Sequence, residues 1–426
     1  MDNNRWQIPK GWEVKKLKDV FYINDLSLPS NTSIDYQFRY IPIEQVSTNY
    51  ISFDDCELFR FGDAPGRARR ILRENDVLIS GVRPNLKAFA IFKKPNTNDN
   101  WICSTGFYVL TAKKEEDNLI SYYELLSEIG GSQFYSYVAG SNYPAIGDSD
   151  IRNLRLILPS SKKEKLAISS IFSKVDETIA SVQNNITAVE RLKKSLMQNL
   201  LTGKMKPDGT FRTPEEFYID EKFGKVPVGW EVKRIKDFGE VKTGKTPPTD
   251  EPEVFSGKEN GFMFITPGDL DVAKYIDHTE RYVSEKGLRY SYLLPKGTVC
   301  EVCIGSTIGK IGITTTECCS NQQITSVIVN NDHDAEYLYY TMLSRREHFK
   351  SVAGINATPQ INKSGYSKYR VLCPKDKREQ IAIAKRISSV DKSINVQEQR
   401  IKSLELLKKS LMQNLLTGKI RVNDLL

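Results

Sequence analysis

Along residues 168–200 the seam positions Ile168, Phe172, Val175, Ile179, Val182, Ile186, Val189, Lys193, Leu196 and Leu200 fall at alternating spacings of four and three. The pattern returns as Ile383, Ile387, Val390, Ile394, Gln397, Ile401, Leu404, Lys408, Leu411 and Leu415. A 3.5-residue period kept over more than four heptads predicts two helices joined as a coiled coil. Two amphipathic helices laid on separate cores would need a wider apolar stripe. Lys193 and Lys408 interrupt the two seams at the same heptad position, where a polar residue can fix register at some expense of stability.

The repetition extends beyond the seam. LKKSLMQNLLTGK stands unchanged at 192–204 and at 407–419. IPKGWEVKKLKDV at 8–20 returns as VPVGWEVKRIKDF at 226–238, and NYPAI at 142–146 is echoed by ATPQI at 357–361. RLILP at 155–159 is matched by RVLCP at 370–374. The chain therefore reads as one unit written twice: a Gly-Trp opening, a divergent globular part, a proline and a long helix. The expected segments are 1–160 and 206–374 as globular domains, with 161–205 and 375–426 as the helices. Gly203 closes the first helix and KPDGT starts a short linker to the second Gly-Trp. A parallel pair would send that linker back along roughly 48 Å of helix, a span it could barely cover even extended. Antiparallel pairing is favoured, with the globular parts at opposite ends of a rod.

Between the repeated segments, DVLISGV, AFAIF and GFYVLTA read as strands, as do GTVCEVCI, KIGITT and ITSVIVN. SYYELLSEI and AEYLYYTMLSRREHF read as amphipathic helices. The fold class expected is α+β: two mixed α/β domains in pseudo-twofold repeat, joined by an antiparallel pair of long helices. Opening and exit are kept while the interiors diverge, which suggests one job done on two targets.

Charge sharpens that picture. The chain of 426 residues carries a net +8. Residues 162–206 hold nine basic against four acidic side chains and 375–421 hold twelve against five, together +12, so the remainder sums to −4. The positive charge belongs to the helices. No apolar run approaches the ~20 residues that span a bilayer, the N-terminal stretch lacks a secretory pattern, and a cytoplasmic protein is expected. Seven cysteines at irregular spacing argue for reduced thiols. CEVC at 300–303, followed by Cys318 and Cys319, hints at zinc, yet it reads better as a buried strand, and the first repeat has no cysteine at the matching place.

Polar loops in the interiors are the candidate contact surfaces. In the first repeat they offer Arg67, Arg69 and Arg70, then Arg83 and Lys87, then Asn142 and Tyr143. In the second they offer Lys242, Thr243, Lys245 and Thr246, then Ser306 and Lys310, then Asn321, Gln322 and Gln323, then Asn356. Arginine reads guanine bidentately, and asparagine or glutamine reads adenine. The plainer alternative is that each is a solvated turn, since most protein–DNA contacts go to phosphate.

Catalytic patterns fail one by one. GSTIGKI has three residues between its glycines and isoleucine after lysine, where a phosphate loop needs four and Ser or Thr. Pro207-Asp208 with Glu231 and Lys233 has the makings of a metal-dependent nuclease, but Glu231 and Lys233 repeat Glu13 and Lys15, and the first copy has no Pro-Asp. His278, His333 and His348 are isolated, so no Ser-His-Asp set can be argued. No metal site, cofactor site or catalytic residue is expected in this chain.

The doubled P-x-GWEVK openings, the doubled proline before a long helix and the two LKKSLMQNLLTGK helix ends resemble the specificity subunit of type I restriction-modification enzymes, over essentially the whole chain. The resemblance implies two target-recognition domains, each reading half of a split double-stranded DNA sequence. It also implies an antiparallel coiled coil on which two modification subunits dock and methylate adenine with S-adenosylmethionine. Restriction subunits would add ATP- and Mg-dependent translocation and cleavage, so that all chemistry lies on partners. Phe172, Val175, Ile179, Ile186, Leu196 and Leu200, with Ile387, Val390, Ile394, Ile401, Leu411 and Leu415, are the expected coiled-coil and docking positions. Since the globular parts are slightly negative, weak DNA binding by the chain alone is expected, with tight binding only in complex. A protein-binding scaffold is the alternative reading, and the self-contained nuclease ranks below it.

Overall fold

The structure is a computed structural model that describes residues 8–138, 144–354 and 359–422. The chain forms two compact units, 1–183 with 399–426, and 184–398. These units interleave the consecutive segments read from the sequence. The two long helices, Lys162–Leu200 and Lys377–Leu415, have 39 residues each and share themselves between the units.

Each unit begins and closes on one ribbon. Trp12–Lys16 pairs antiparallel with Arg155–Pro159, Trp12 opposite Pro159. In the second unit Trp230–Arg234 pairs with Arg370–Pro374, Trp230 opposite Pro374. The Gly-Trp opening and the proline exit are thus partners, which explains why they are kept together. Behind the ribbon of the first unit lies an antiparallel sheet ordered Phe21–Ile23, Phe107–Ala112, Val77–Ser80, Phe89–Ile91. Its counterpart is ordered Gly239–Thr243, Ile324–Val329, Val299–Val302, Ile311–Thr314, with Tyr275–Ile276 added at the edge.

Each unit also carries a second sheet that the sequence pattern did not announce. In the first it contains Gln37–Ile41 running parallel to Trp101–Ser104. In the second, Phe262–Ile265 runs parallel to Cys318–Ser320. These strands are short and mix arginine, glutamine and serine with apolar residues, so no clean alternation marks them. The predicted helices also divide. SYYELLSEI is split at Ser127 between Glu115–Leu126 and Glu128–Val138, because Ser127 is extended and its hydroxyl accepts from the Gly130 amide. The second copy breaks at Arg345, between Ala335–Ser344 and Arg346–Val352.

The long helices meet by their seam. Away from the ends, Val175, Ile179, Val182, Ile186 and Val189 are buried or half-buried while most residues between them are exposed, and Val390, Ile394, Gln397, Ile401 and Leu404 repeat this. Such a narrow stripe is what a two-stranded coil needs. At the ends the stripe widens onto the units. Ile168, Phe172, Leu415 and Leu416 enter the core of Trp12 and Tyr123, while Leu200, Leu201, Ile383 and Ile387 enter that of Trp230 and Tyr337. Each unit therefore holds the start of its own helix and the end of the other. Within each the two run antiparallel: Asp176 meets Lys408 while Glu164 meets Arg421, just past the second helix's end, and Lys193 meets Asp391 while Glu379 meets Arg212, past the first helix's end.

Gly203 and Gly418 finish the helices with φ of +69° and +64°. A Cβ on Gly203 would lie 2.2 Å from Pro227, and one on Gly418 2.4 Å from Pro9. The glycine of each TGK is therefore set against the proline of a P-x-GW, and the two repeated motifs form one joint.

Candidate nucleic-acid interface

In the second unit four loops that are distant in sequence come together at one end of the central sheet. The Gly244 amide donates to the Ile324 carbonyl at 3.0 Å and the Lys245 amide to that of Ser320 at 2.9 Å. Gly244 has to be glycine, since a Cβ would lie 2.2 Å from the Asn321 carbonyl. Thr246 hydrogen-bonds the Gln322 side chain, and the Thr243 hydroxyl meets that of Thr325 at 3.2 Å. Asn321 donates to the Gln323 side chain at 3.1 Å, and Gln323 in turn reaches the Ile304 carbonyl at 3.5 Å. The Gly305 amide donates to Pro359, next to the bridge between Ile304 and Gln360. Ser306 is exposed on that turn, and Lys310 reaches the Pro267 carbonyl at 3.4 Å. Lys242 is paired with Glu240 at 2.7 Å.

The first unit gathers its loops by the same connections. Val82 bridges Ala145, as Ile304 bridges Gln360. The Gly81 amide donates to Gly106, that of Arg83 to Pro144, and that of Thr105 to Arg67. Arg67 is exposed beside this cluster. Arg69 lies 4.6 Å over the Phe61 ring, and Arg70 bonds the Ser27 hydroxyl at 2.8 Å. Lys87 turns inward: its ammonium donates to the Leu126 and Ser127 carbonyls at 2.5 and 3.2 Å, capping a helix end, and burial lowers its pKa. Asn142, Tyr143 and Asn356 lie outside the described residues.

The seam lysines are not solitary polar interruptions. Lys408 is 2.6 Å from Asp176, and Asp176 also accepts from the Tyr123 hydroxyl at 2.8 Å. Lys193 is 2.6 Å from Asp391, which accepts from Tyr340 at 2.6 Å. Each aspartate thus ties both long helices to a helix of its unit. Burial first, and the neighbouring aspartate after it, raises both phenols above their ordinary range. Sequence reasoning singled out the lysines and missed their partners, although Asp176 and Asp391 occupy equivalent positions in the two repeats.

The inner residues of the thirteen-residue repeat, Leu200 with Leu201 and Leu415 with Leu416, are buried. Its outer face is exposed in both copies: Leu192, Lys194 and Ser195, then Leu407, Lys409 and Ser410. Leu192 and Leu407 are 52% and 48% exposed, so internal packing does not require the identity of this face.

Glu301, on the central strand of the second unit, is fully buried, and burial pushes its pKa up to about 8. It accepts from the Tyr366 hydroxyl at 3.0 Å. Asp208 accepts from the amide and hydroxyl of Thr210 within its own turn, at 2.8 and 2.7 Å, and Glu231 is 3.3 Å from Lys233. Cys300 and Cys303 are buried on and just after the central strand. Among the described residues no cluster of metal-ligating side chains occurs, and no helix is long and apolar enough to cross a membrane.

Two stretches, 9–191 and 227–406, match the family described as type I restriction modification DNA specificity domain. The chain belongs to that family. It is 23% identical to the type I restriction enzyme HindI specificity subunit of Haemophilus influenzae, over 86% of this chain and 91% of that protein. It is 24% identical to the MjaVIII specificity subunit of Methanocaldococcus jannaschii, over 98% and 95%. Among solved structures, the type I restriction-modification S subunit from M. genitalium superposes with a TM-score of 0.59 at 15% identity, covering 97% of each chain. A chain from a study of complex assembly and conformational transition of the type I R-M system gives 0.56 at 19% identity, over 97% of this chain and all of that one. The fold is shared: two mixed α/β domains and a pair of long antiparallel helices.

Proposed function

We propose that this chain is the non-catalytic DNA-specificity subunit of a type I restriction-modification complex. Each unit reads one half of a split double-stranded target through its gathered loops, and two adenine methyltransferase subunits dock on the duplicated helices. Family membership over both repeats supports the DNA-specificity role. One observation carries the two-partner reading: the exposed faces around Leu192 and Leu407 are identical although nothing inside the fold requires it. Two equal partners need two equal surfaces, while two half-sites need different readers. The chemistry sits on those partners, with S-adenosylmethionine on the methyltransferases and ATP and Mg on restriction subunits where the system carries them.

Mapping DNA methylation in cells with and without this gene tests the reading. A split motif methylated on adenine should disappear on deletion, giving both half-sites at once. An unchanged methylome in cells that express the methyltransferase would overturn it and favour a protein-binding scaffold.

A further inference from the structure

One aromatic side chain beside the second unit's loops was absent from the sequence reading. Tyr292 is 39% exposed, and the Lys245 and Lys242 ammoniums lie 4.6 and 5.1 Å from its ring centre. The loop that carries it is tied to the lysine loop, since the Ser291 hydroxyl donates to the Lys245 carbonyl at 2.8 Å. A hydrogen bond from Lys245, then the charges of Lys245, Lys242 and Lys363, hold the phenol below its ordinary range. Lys363 is exposed at the start of the helix Lys363–Lys368. Lys242 has Glu240 as a partner, whereas among the described residues no carboxylate pairs with Lys245.

A ring face attracts a cation without neutralising it. It orders a lysine that would otherwise sweep through solvent and leaves the charge available to an anion. The same lysine loop is fixed to the amide turn: the Lys245 backbone amide donates to the Ser320 carbonyl, and the Thr246 hydroxyl donates to the Gln322 side chain. A phosphate held at Lys245 would therefore lie at a set place beside Asn321, Gln322 and Gln323. The first unit has a related device in Arg69, 4.6 Å over Phe61.

We propose that Tyr292 is a positioning residue which, with Lys245 and Lys242, forms a backbone-phosphate grip that registers the second unit's amide turn on its half-site. The proposal rests on the DNA-specificity reading and adds a local positive corner to a globular part whose charge is otherwise unfavourable to DNA.

The test uses the assembled complex with its methyltransferase subunits, a duplex bearing the motif found by methylation mapping and a scrambled duplex of equal length. Affinity is measured against salt for Lys245→Ala, Tyr292→Ala and Tyr292→Phe, with thermal unfolding as a control for folding. Lys245→Ala should weaken both duplexes alike by about 3- to 10-fold and reduce the salt slope by about 1. Tyr292→Ala should move both quantities in the same direction, and Tyr292→Phe, which keeps the ring but loses the hydrogen bond from Lys245, should move them less. Unchanged affinity and slope in Lys245→Ala and Tyr292→Ala would overturn the grip, as would a loss confined to the motif duplex, which points to base contact. A wild-type complex that protects neither duplex would instead overturn the DNA-specificity reading, and the grip with it.

Discussion

On the central strand of the first unit, Ile79 stands where the second unit has Glu301, and Ile151 on a following short helix stands where the second has Tyr366. The first pair is part of one apolar core, whereas the second is a buried carboxyl bonded to a phenol. One set of contacts toward the long helices shows the opposite behaviour. Tyr123, Asp176 and Lys408 in one unit match Tyr340, Asp391 and Lys193 in the other, atom for atom. This triad is the same in both units, while elsewhere along the junction Lys165 pairs with Asp117 where the second unit has Gln380 beside Asp334. The core beneath the gathered loops differs. A buried carboxyl is tolerated there because it has a donor and because burial keeps it protonated.

The sharpest way to break this comparison is at the shared triad. Asp391→Lys sets two ammoniums against each other in a pair only about a quarter exposed and removes the acceptor for Tyr340. It should cost about 3 kcal/mol, read from denaturant unfolding of the purified protein. Combining it with Lys193→Asp should restore most of the loss, and Asp176→Lys should behave alike in the first unit. Failure of the swap to recover stability would mean that the aspartates act singly.

The divergent core has a pH signature. Because folding raises the Glu301 pKa from the ordinary glutamate range to about 8, the unfolded chain releases its proton first. The stabilisation is complete below the unfolded pKa, declines as pH rises, and is exhausted once pH passes about 8. Glu301→Gln, which still accepts from Tyr366, should remove this decline and be more stable than the parent near pH 8 by about 2 kcal/mol. The first unit, with Ile79, should give no matching change on Ile79→Leu. A parallel pH dependence in parent and Glu301→Gln would place the titration elsewhere.

Smaller effects sharpen the equivalence of the joints. Gly203→Ala and Gly418→Ala each force a side chain into a positive φ and against a proline, so each should lower stability by about 1–2 kcal/mol. Calorimetry should find the two losses equal if the joints are the same device. Smallest of all in stability is the outer helix face. Leu192→Lys or Leu407→Lys should shift unfolding by less than about 0.5 kcal/mol, yet on the proposed two-partner reading each should reduce the methyltransferase bound per chain from two copies toward one, as read by mass photometry. Retention of both copies in the double variant would remove docking from this face.

Much of the frame was legible in the sequence because it depends on short-range order. The seam, the helix ends and the duplicated openings are periodicities and copies. The second sheets were not legible, since strands such as Ala68–Ile71 carry two arginines and show no alternation. Nor was the inward turn of Lys87, because the carbonyls it caps belong to a helix end some forty residues away.

By itself, then, the sequence determined that one unit is written twice and that its helices pair by a narrow apolar seam. These are properties of residue spacing. Only the tertiary structure decided which residues meet: that Pro9 sits on Gly418, that Asp176 answers Lys408, and that Lys245, Tyr292 and Gln322 share one corner. Those meetings depend on how strands and helices bring distant segments into register, and each involves partners whose separation along the chain carries no local signal.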